Sequence, residues 1–329
     1  MKGGKKFLMP YEAIVVGSLV VDIAVWLDRP ASPGETLLAR EGGIFVGGKG
    51  VNQAGAFARL GGSPLLVGAL GDDVLGAFMR TGIRQELGSN DGIFYVPDTL
   101  TSYAIPVITP GSQHIMQVRG ANGAITAGMI EDTFPLWNRA RFLMVQGEIP
   151  AQASLAAMKH MRDQGGLVIL DPAPISTISD AMMAMATVIT PNQAEMAGLL
   201  GQSSAHPVPM SSLQDGARAL FHQFPYLQLI MTTLGKDGVF YMPRDGHPTW
   251  IESPKVLAID PTAAGDAFNG AWAWAVSRGH DWLSAATIGA YVGALTASVR
   301  GALPSIPFHK DVPWSAIANP DSKTPPPTS

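Results

Sequence analysis

Short runs of aliphatic and β-branched residues alternate along the chain with Ala- and Leu-rich stretches of helical period. "YEAIVVGS" predicts a buried strand, and "GVNQAGAFARLGG" a helix closed by Gly61 and Gly62, where left-handed backbone is wanted. "SPLLVGALG" and "GAFMRTGIRQELG" repeat the strand and helix. "ARFLMVQGE", "PAQASLAAMKHMRDQGG" and "LVILDPAP" give strand, helix and strand. "ATVITPNQAEMAGLLG" gives a strand, a turn and a helix, and "LQLIMTTLGKDGVFYM" two strands about a glycine turn. This alternation predicts an α/β fold with a mostly parallel sheet covered by helices.

Two segments break the rhythm. Residues 23–46 and 102–118 carry short strands and loops without helices, and "SYAIPVITPGSQHIMQV" has the form of a hairpin about Pro-Gly. They are expected to form a small β-sheet lid outside the main sheet. The folded domain is expected over residues 11–316. Residues 1–10 and the polar, Pro-rich 317–329 are expected to be disordered tails. Pro10, Glu12 and Asp22 interrupt the first apolar run, which argues against a signal or membrane anchor.

Composition narrows the classes. The charged fraction of 15% is below the usual quarter and the hydrophobic fraction is 47%, which implies a large core. Net charge is −4 with no basic block, so neither nucleic acid nor an anionic membrane is the expected partner. The chain has no cysteine. Disulfides, thiolate nucleophiles and Cys-ligated metals are excluded, and a cytoplasmic location is the expectation.

Three stretches carry chemistry. In "GGIFVGGKGVNQAG", Gly43, Gly48 and Lys49 match a phosphate loop, but Gly50 stands where a magnesium-binding Ser or Thr belongs. The dinucleotide fingerprint also fails, at Gln53. What remains is bare backbone ahead of Asn52, which offers a donor and an acceptor to a polyhydroxy ligand or simply caps a helix. In "DPTAAGDAFNGA", Ala263, Ala264 and Gly265 leave N–H groups unshielded at a helix start, a place suited to phosphate. Asp266 in that turn is either a plain first-turn acid or a base within about 2.6–3.2 Å of a hydroxyl. In "TPNQAEM", Asn192 and Glu195 lie three apart, as a capping box or as supports for hydrated magnesium.

Together these stretches resemble the ribokinase family of carbohydrate kinases, over about residues 13–307. "GGKGVNQAGAFARLGG" and "DPTAAGDAFNGA" are similar to its two signatures. "VGSLVVD", "PGET", "GALGDDVLG", "RGANGAIT", "QGEIP", "TPNQAE" and "TLGKDG" resemble its other landmarks in order. The resemblance implies a three-layer α/β/α sandwich with the lid described above, and ATP-dependent phosphorylation of a primary hydroxyl on a small sugar. Asp266 would be the base, with Ala263, Ala264 and Gly265 as anion hole. Asp22, Gly48, Lys49, Asn52 and Glu148 would hold the sugar. Asn192, Glu195, Thr233, Gly235 and Gly238 would face the nucleotide, with Asn192 and Glu195 organising Mg²⁺ indirectly. Asp260, Thr262, Gly301 and Ser305 would form the loop of an activating K⁺.

Two positions depart from the family pattern. Val20 replaces an Asn that would contact a sugar hydroxyl, and Pro261 replaces a Thr while keeping its carbonyl. Fructose, a deoxysugar or a nucleoside are therefore weighed as acceptors beside ribose. A sugar sensor is disfavoured by the intact Asp266 turn, and a nicotinamide dehydrogenase by the failed fingerprint. Apolar residues in "AIPVITP" and "LLAREGGIFV" are expected to pair two lids in a homodimer. Trp272 and Trp274 cannot share one helix face, so one is expected in the core and the other near an interface.

Overall fold

The computed structural model describes residues 11–110, 112–203 and 208–318. Strand β1 (Ala13–Val16) leads into β2 (Val20–Trp26) and β3 (Glu41–Gly47), followed by α1 (Lys49–Arg59), β4 (Pro64–Gly71) and α2 (Val74–Leu87). Next come β5 (Gly92–Val96), β6 (Tyr103–Thr109), β7 (Ser112–Val118), α3 (Ala127–Glu131), β8 (Phe142–Val145), α4 (Ala151–Asp163) and β9 (Leu167–Leu170). Then α5 (Asp180–Met185), β10 (Val188–Ile189), α6 (Gln193–Leu199), α7 (Leu213–Gln223), β11 (Leu229–Thr233), β12 (Val239–Pro243) and β13 (Thr249–Ile251) complete the strands. Helices α8 (Ala264–Ser277), α9 (Trp282–Ala297) and α10 (Trp314–Ala318) close the chain.

The large sheet has nine strands in the order β13-β12-β11-β10-β9-β8-β1-β4-β5. It is parallel from β11 to β5, and only β12 and β13 run antiparallel at one edge. Every residue of β4 and β8 is buried, as expected of strands covered on both faces. Alternate side chains supply two cores. Val15, Met144 and Ile169 meet Phe57, Met79, Trp272 and Val292 on one face, while Ile14, Leu143 and Leu170 meet Met158, Met196 and Leu220 on the other. The expected three-layer architecture is therefore present. Among the described residues, no helix is long and apolar enough to cross a membrane.

Strands β3-β2-β6-β7 form a separate small sheet, the expected lid. It starts at Val20, so Asp22 lies on a lid strand rather than on the first strand of the main sheet. The break falls at residues 17–19. There the buried amide of Asn122 accepts from the Leu19 N–H and donates to the Leu19 carbonyl, both at 3.0 Å, replacing ladder bonds that the chain gives up as it leaves the sheet.

Residues 1–10 and 319–329 of the expected tails lie outside the described residues. Ile317 and Ala318 belong instead to α10, whose Trp314 packs on Trp274 with ring centroids 5.5 Å apart. That contact also places Trp274 in the core. Trp272 and Trp274 are both buried within this chain, because α9 covers one side of α8 and the C-terminal segment the other.

Candidate active site

Helices α1 and α8 cross closely because Gly270 leaves room for the backbone of α1; a Cβ there would stand 2.5 Å from the Gln53 carbonyl. That approach brings the first turns of both helices together. Asp266, 5% exposed, accepts from Asn52 Nδ2 through Oδ2 at 2.9 Å and from Gln53 Nε2 through Oδ1 at 3.1 Å. Lys49 Nζ lies 4.0 Å from the same Oδ1 and 3.0 Å from Asp171 Oδ2. The Oδ1 of Asn52 is buried and, among the described residues, meets no donor.

The turn before α8 bares backbone N–H groups at the helix start. Ala263 takes a left-handed conformation, φ 61° and ψ 4°, which a side chain-bearing residue adopts at a cost. Among the described residues, the N–H groups of Ala263, Gly265 and Asp266 meet no acceptor. That of Ala264 bonds the Pro261 carbonyl at 3.2 Å, so the expected donor set loses Ala264 and gains Asp266. A Cβ on Gly265 would meet nothing within 4 Å. Neither packing nor strain calls for glycine there, and what its absent side chain leaves open is the approach to the helix N-terminus.

The glycines of the other signature act differently. Gly48 has φ +97°, and its Cβ would lie 2.7 Å from Ser18 O and Val20 N. A Cβ on Gly50 would lie 2.8 Å from the backbone of Gly17 and Ser18. The Lys49 N–H goes to Ser18 Oγ and the Gly50 N–H to Ser18 O, each at 3.1 Å. The bare backbone ahead of Asn52 thus gives room to the β1–β2 turn of the chain itself. Gly47 makes space for the Asp22 carboxylate, since its Cβ would be 2.3 Å from Asp22 Oδ2.

Asp22 and Glu148 complete an acidic wall. Burial pushes Asp22 up to about 7, and the charges of Glu148, Asp266 and Asp260 add to the shift. Burial likewise raises Glu148, against the pull of Lys49 and of the Ser18 hydroxyl that donates to it. Burial opposes the charge of Lys49, but Asp171, Asp266, Glu148 and Glu195 outweigh it and hold the ammonium protonated above its ordinary range. The five side chains expected at the sugar, Asp22, Lys49, Asn52, Glu148 and Asp266, thus converge.

The remaining expectations separate. Asn192 and Glu195 form a reciprocal capping box, Asn192 Oδ1 accepting from Glu195 N at 2.9 Å and Glu195 Oε2 from Asn192 N at 2.8 Å. The charge of Glu195 still reaches Lys49 and Asp171. Thr233 is bridged to Asn192, which places β11 beside this cap. Gly238 serves the chain, because its Cβ would lie 1.9 Å from Ile251 O, whereas Gly235 stands in open space at φ +58°. Asp260 is a hub: its Oδ1 accepts from Thr262 N at 3.0 Å and Thr262 Oγ1 at 2.6 Å, and its Oδ2 from Gly301 N at 3.0 Å. Ser305 is buried and donates to Ala302 O at 2.7 Å.

Sequence reasoning missed Ser18, Gln53, Gln146 and Asp171. One signal was legible. Gln146 and Asp171 directly follow the apolar runs of two parallel strands, and ligand sites of α/β sheets lie at such carboxyl ends.

A parallel sheet with a separate lid, an acidic wall and a phosphate-ready helix start define a phosphotransferase of small polyhydroxy compounds. Residues 12–309 match the pfkB family carbohydrate kinase pattern. The chain is 31% identical over 300 residues to a ribokinase of Haemophilus influenzae, covering 90% of this chain and 95% of that one. Its structure is similar to a ribokinase of Thermotoga maritima (TM-score 0.83, 29% identity, 94% and 99% of the two chains). It is also similar to a ribokinase of Arabidopsis thaliana solved with ribose and ATP (TM-score 0.83, 27% identity, 94% and 99%). The chain belongs to the pfkB family of carbohydrate kinases, and it is an ATP-dependent enzyme of that family.

Proposed function

We propose that the chain transfers the γ-phosphoryl group of ATP to the primary hydroxyl of D-ribose, giving ribose 5-phosphate. The observation that carries this reading is the α8 turn. It sets a buried carboxylate, Asp266, beside N–H groups that no acceptor among the described residues satisfies, with Gly265 keeping the approach open. Ribose rests on the ribokinases of similar sequence and on the Arabidopsis relative's bound sugar.

In this reading the sugar lies between Asp22, Asn52 and Glu148. Asp266 takes the proton from the attacking hydroxyl. The free N–H groups of Ala263 and Gly265 meet charge developing on the transferring group, each such donor contributing about 2.7–4 kcal/mol in comparable sites. The transition state is loose, so placement and charge matter more than bond-making by the protein. Asn192 and Glu195 fit a role toward hydrated Mg²⁺, since the capping box uses only one Glu195 oxygen and its charge faces the site. When bound, Mg²⁺ would offset phosphate charge. Asp260 fits the role of fixing a loop for K⁺, because it ties residues 262 and 301 together.

A second acceptor class has a specific observation behind it. Val20 is 3% exposed, belongs to neither core, and precedes Asp22 by two on the same strand, so both face the same side. An apolar wall there suits an acceptor lacking one hydroxyl. A coupled ADP-release screen over pentoses, 2-deoxyribose, hexoses and nucleosides, with and without K⁺, separates the two. Highest kcat/KM for ribose supports the first reading, and highest for 2-deoxyribose the second.

A further inference from the structure

A row of polar side chains with no shared role legible in the sequence connects to Asp266. Gln146 and Asp171 stand at the carboxyl ends of the adjacent strands β8 and β9. Both are buried. Asp171 Oδ2 accepts from Lys49 Nζ and from Gln53 Nε2, each at 3.0 Å. The Gln53 amide nitrogen also donates to Asp266 Oδ1 at 3.1 Å, and its Oε1 accepts from Gln146 Nε2 at 2.7 Å. The amide is thereby oriented: turned over, its carbonyl would face two carboxylates. Lys49 and Gln53, four apart on α1, share the face that meets Asp171.

One ammonium thus stands within reach of two buried carboxylates and is an ångström nearer to Asp171. We propose that Asp171 is a positioning residue for phosphoryl transfer, holding Lys49 off Asp266 so that Asp266 remains free to accept the hydroxyl proton. This rests on the reading of Asp266 as the base. A lysine paired directly with a carboxylate favours its ionised form and makes it a poorer proton acceptor. Asp171, buried and otherwise costly as an anion, also accepts from the neutral Gln53 amide, which leaves Lys49 as the cation paired with it. Asp22, Glu148 and Asp260 also bear on the site but are carboxylates; Lys49 is the cation that contacts Asp266.

The test is Asp171→Asn, which keeps shape and removes charge, with Asp171→Ser as the second variant should the first not fold. In a crystal structure of the variant, Lys49 Nζ is expected to close on Asp266 to hydrogen-bond distance, roughly 3 Å. An ammonium that stays about 4 Å away overturns the proposal. In kinetics, kcat is expected to fall by about tenfold or more while the sugar KM stays within about threefold. Unchanged kcat, or a loss confined to KM, overturns it. In a Lys49→Met background the effect of Asp171→Asn on kcat is expected to shrink to about twofold or less; full additivity overturns it. A wild-type protein that phosphorylates no acceptor sinks the kinase reading instead, and the crystallographic arm then still decides whether Asp171 holds Lys49.

Discussion

Asn52 Nδ2 donates to Asp266 Oδ2 at 2.9 Å, joining two helix starts that are 214 residues apart in sequence. The bond engages one oxygen of the carboxylate from one side and leaves the buried Asn52 Oδ1 without a partner among the described residues. In the proposed reaction a sugar hydroxyl donates to this pair, to Asn52 Oδ1 or to the Asp266 carboxylate. Asp266→Asn keeps the shape and removes the base. Its kcat is expected to fall by at least ~10² with sugar affinity largely retained, checked by turnover and by calorimetric titration. Near-normal turnover would remove Asp266 from the mechanism.

Two glycines, one in each signature, are expected to respond in opposite ways to the same substitution. Gly265→Ala adds a methyl to open space in a helix, so the melting temperature should hold or rise slightly. Its turnover, or its KM for ATP, should worsen by about tenfold, because the methyl stands over the anion's approach. Gly48→Ala forces a Cβ at φ +97° against Ser18 and Val20 and is expected to cost at least about 2 kcal/mol of stability. Denaturant unfolding of the two variants beside steady-state kinetics separates these effects, and a shared stability loss would contradict the ligand role of Gly265.

Asp22 carries a pH signature. Its carboxyl is raised to about 7 in the folded protein from an ordinary value near 3.8. A raised acid binds its proton more tightly when folded, so its contribution to stability is complete below about pH 4 and is lost as pH rises through about 7. Asp22→Asn, neutral at every pH, should therefore melt higher than wild type at pH 8, with a smaller gain at pH 5. The expected gain at pH 8 is on the order of 4 kcal/mol, with sugar KM raised in the same variant. An equal melting shift at both pH values would remove the titration argument.

We also propose that two lids pair. Leu38, Ile44, Ile115 and Met116 of the lid segments are all more than half exposed. Ile44→Asp combined with Ile115→Asp is expected to convert a dimer to a monomer, measured by light scattering at micromolar concentration. A wild-type protein that already has the mass of one chain would exclude the pairing.

Much of the site was legible because its parts are local. Asp266 sits in a first helical turn announced by small residues, and Asn192 and Glu195 are a four-residue pattern. Asn122 was legible only as part of "RGANGAIT"; its use, bonding both backbone groups of Leu19, depends on a contact 103 residues away. The use of Gly48 and Gly50 toward the chain itself was hidden for the same reason. Absence of a side chain is visible in sequence, but what approaches it is not, and here it is the turn at Ser18.

Read alone, the sequence determined the alternation of strands and helices, the two lid segments, and the acids and amides of both signatures. Periodicity and turn chemistry act over a few residues and leave their mark in any short window. Only the tertiary structure decided that Gln53 joins Asp171 to Asp266 across separations of 118 and 213 residues, and that Lys49 leans on Asp171. Those contacts follow from the order in which strands enter the sheet and from Gly270, which lets α1 and α8 approach. The charge balance around Asp266 is a property of that packing, because burial strengthens each pairing and no local pattern encodes which partner is nearest.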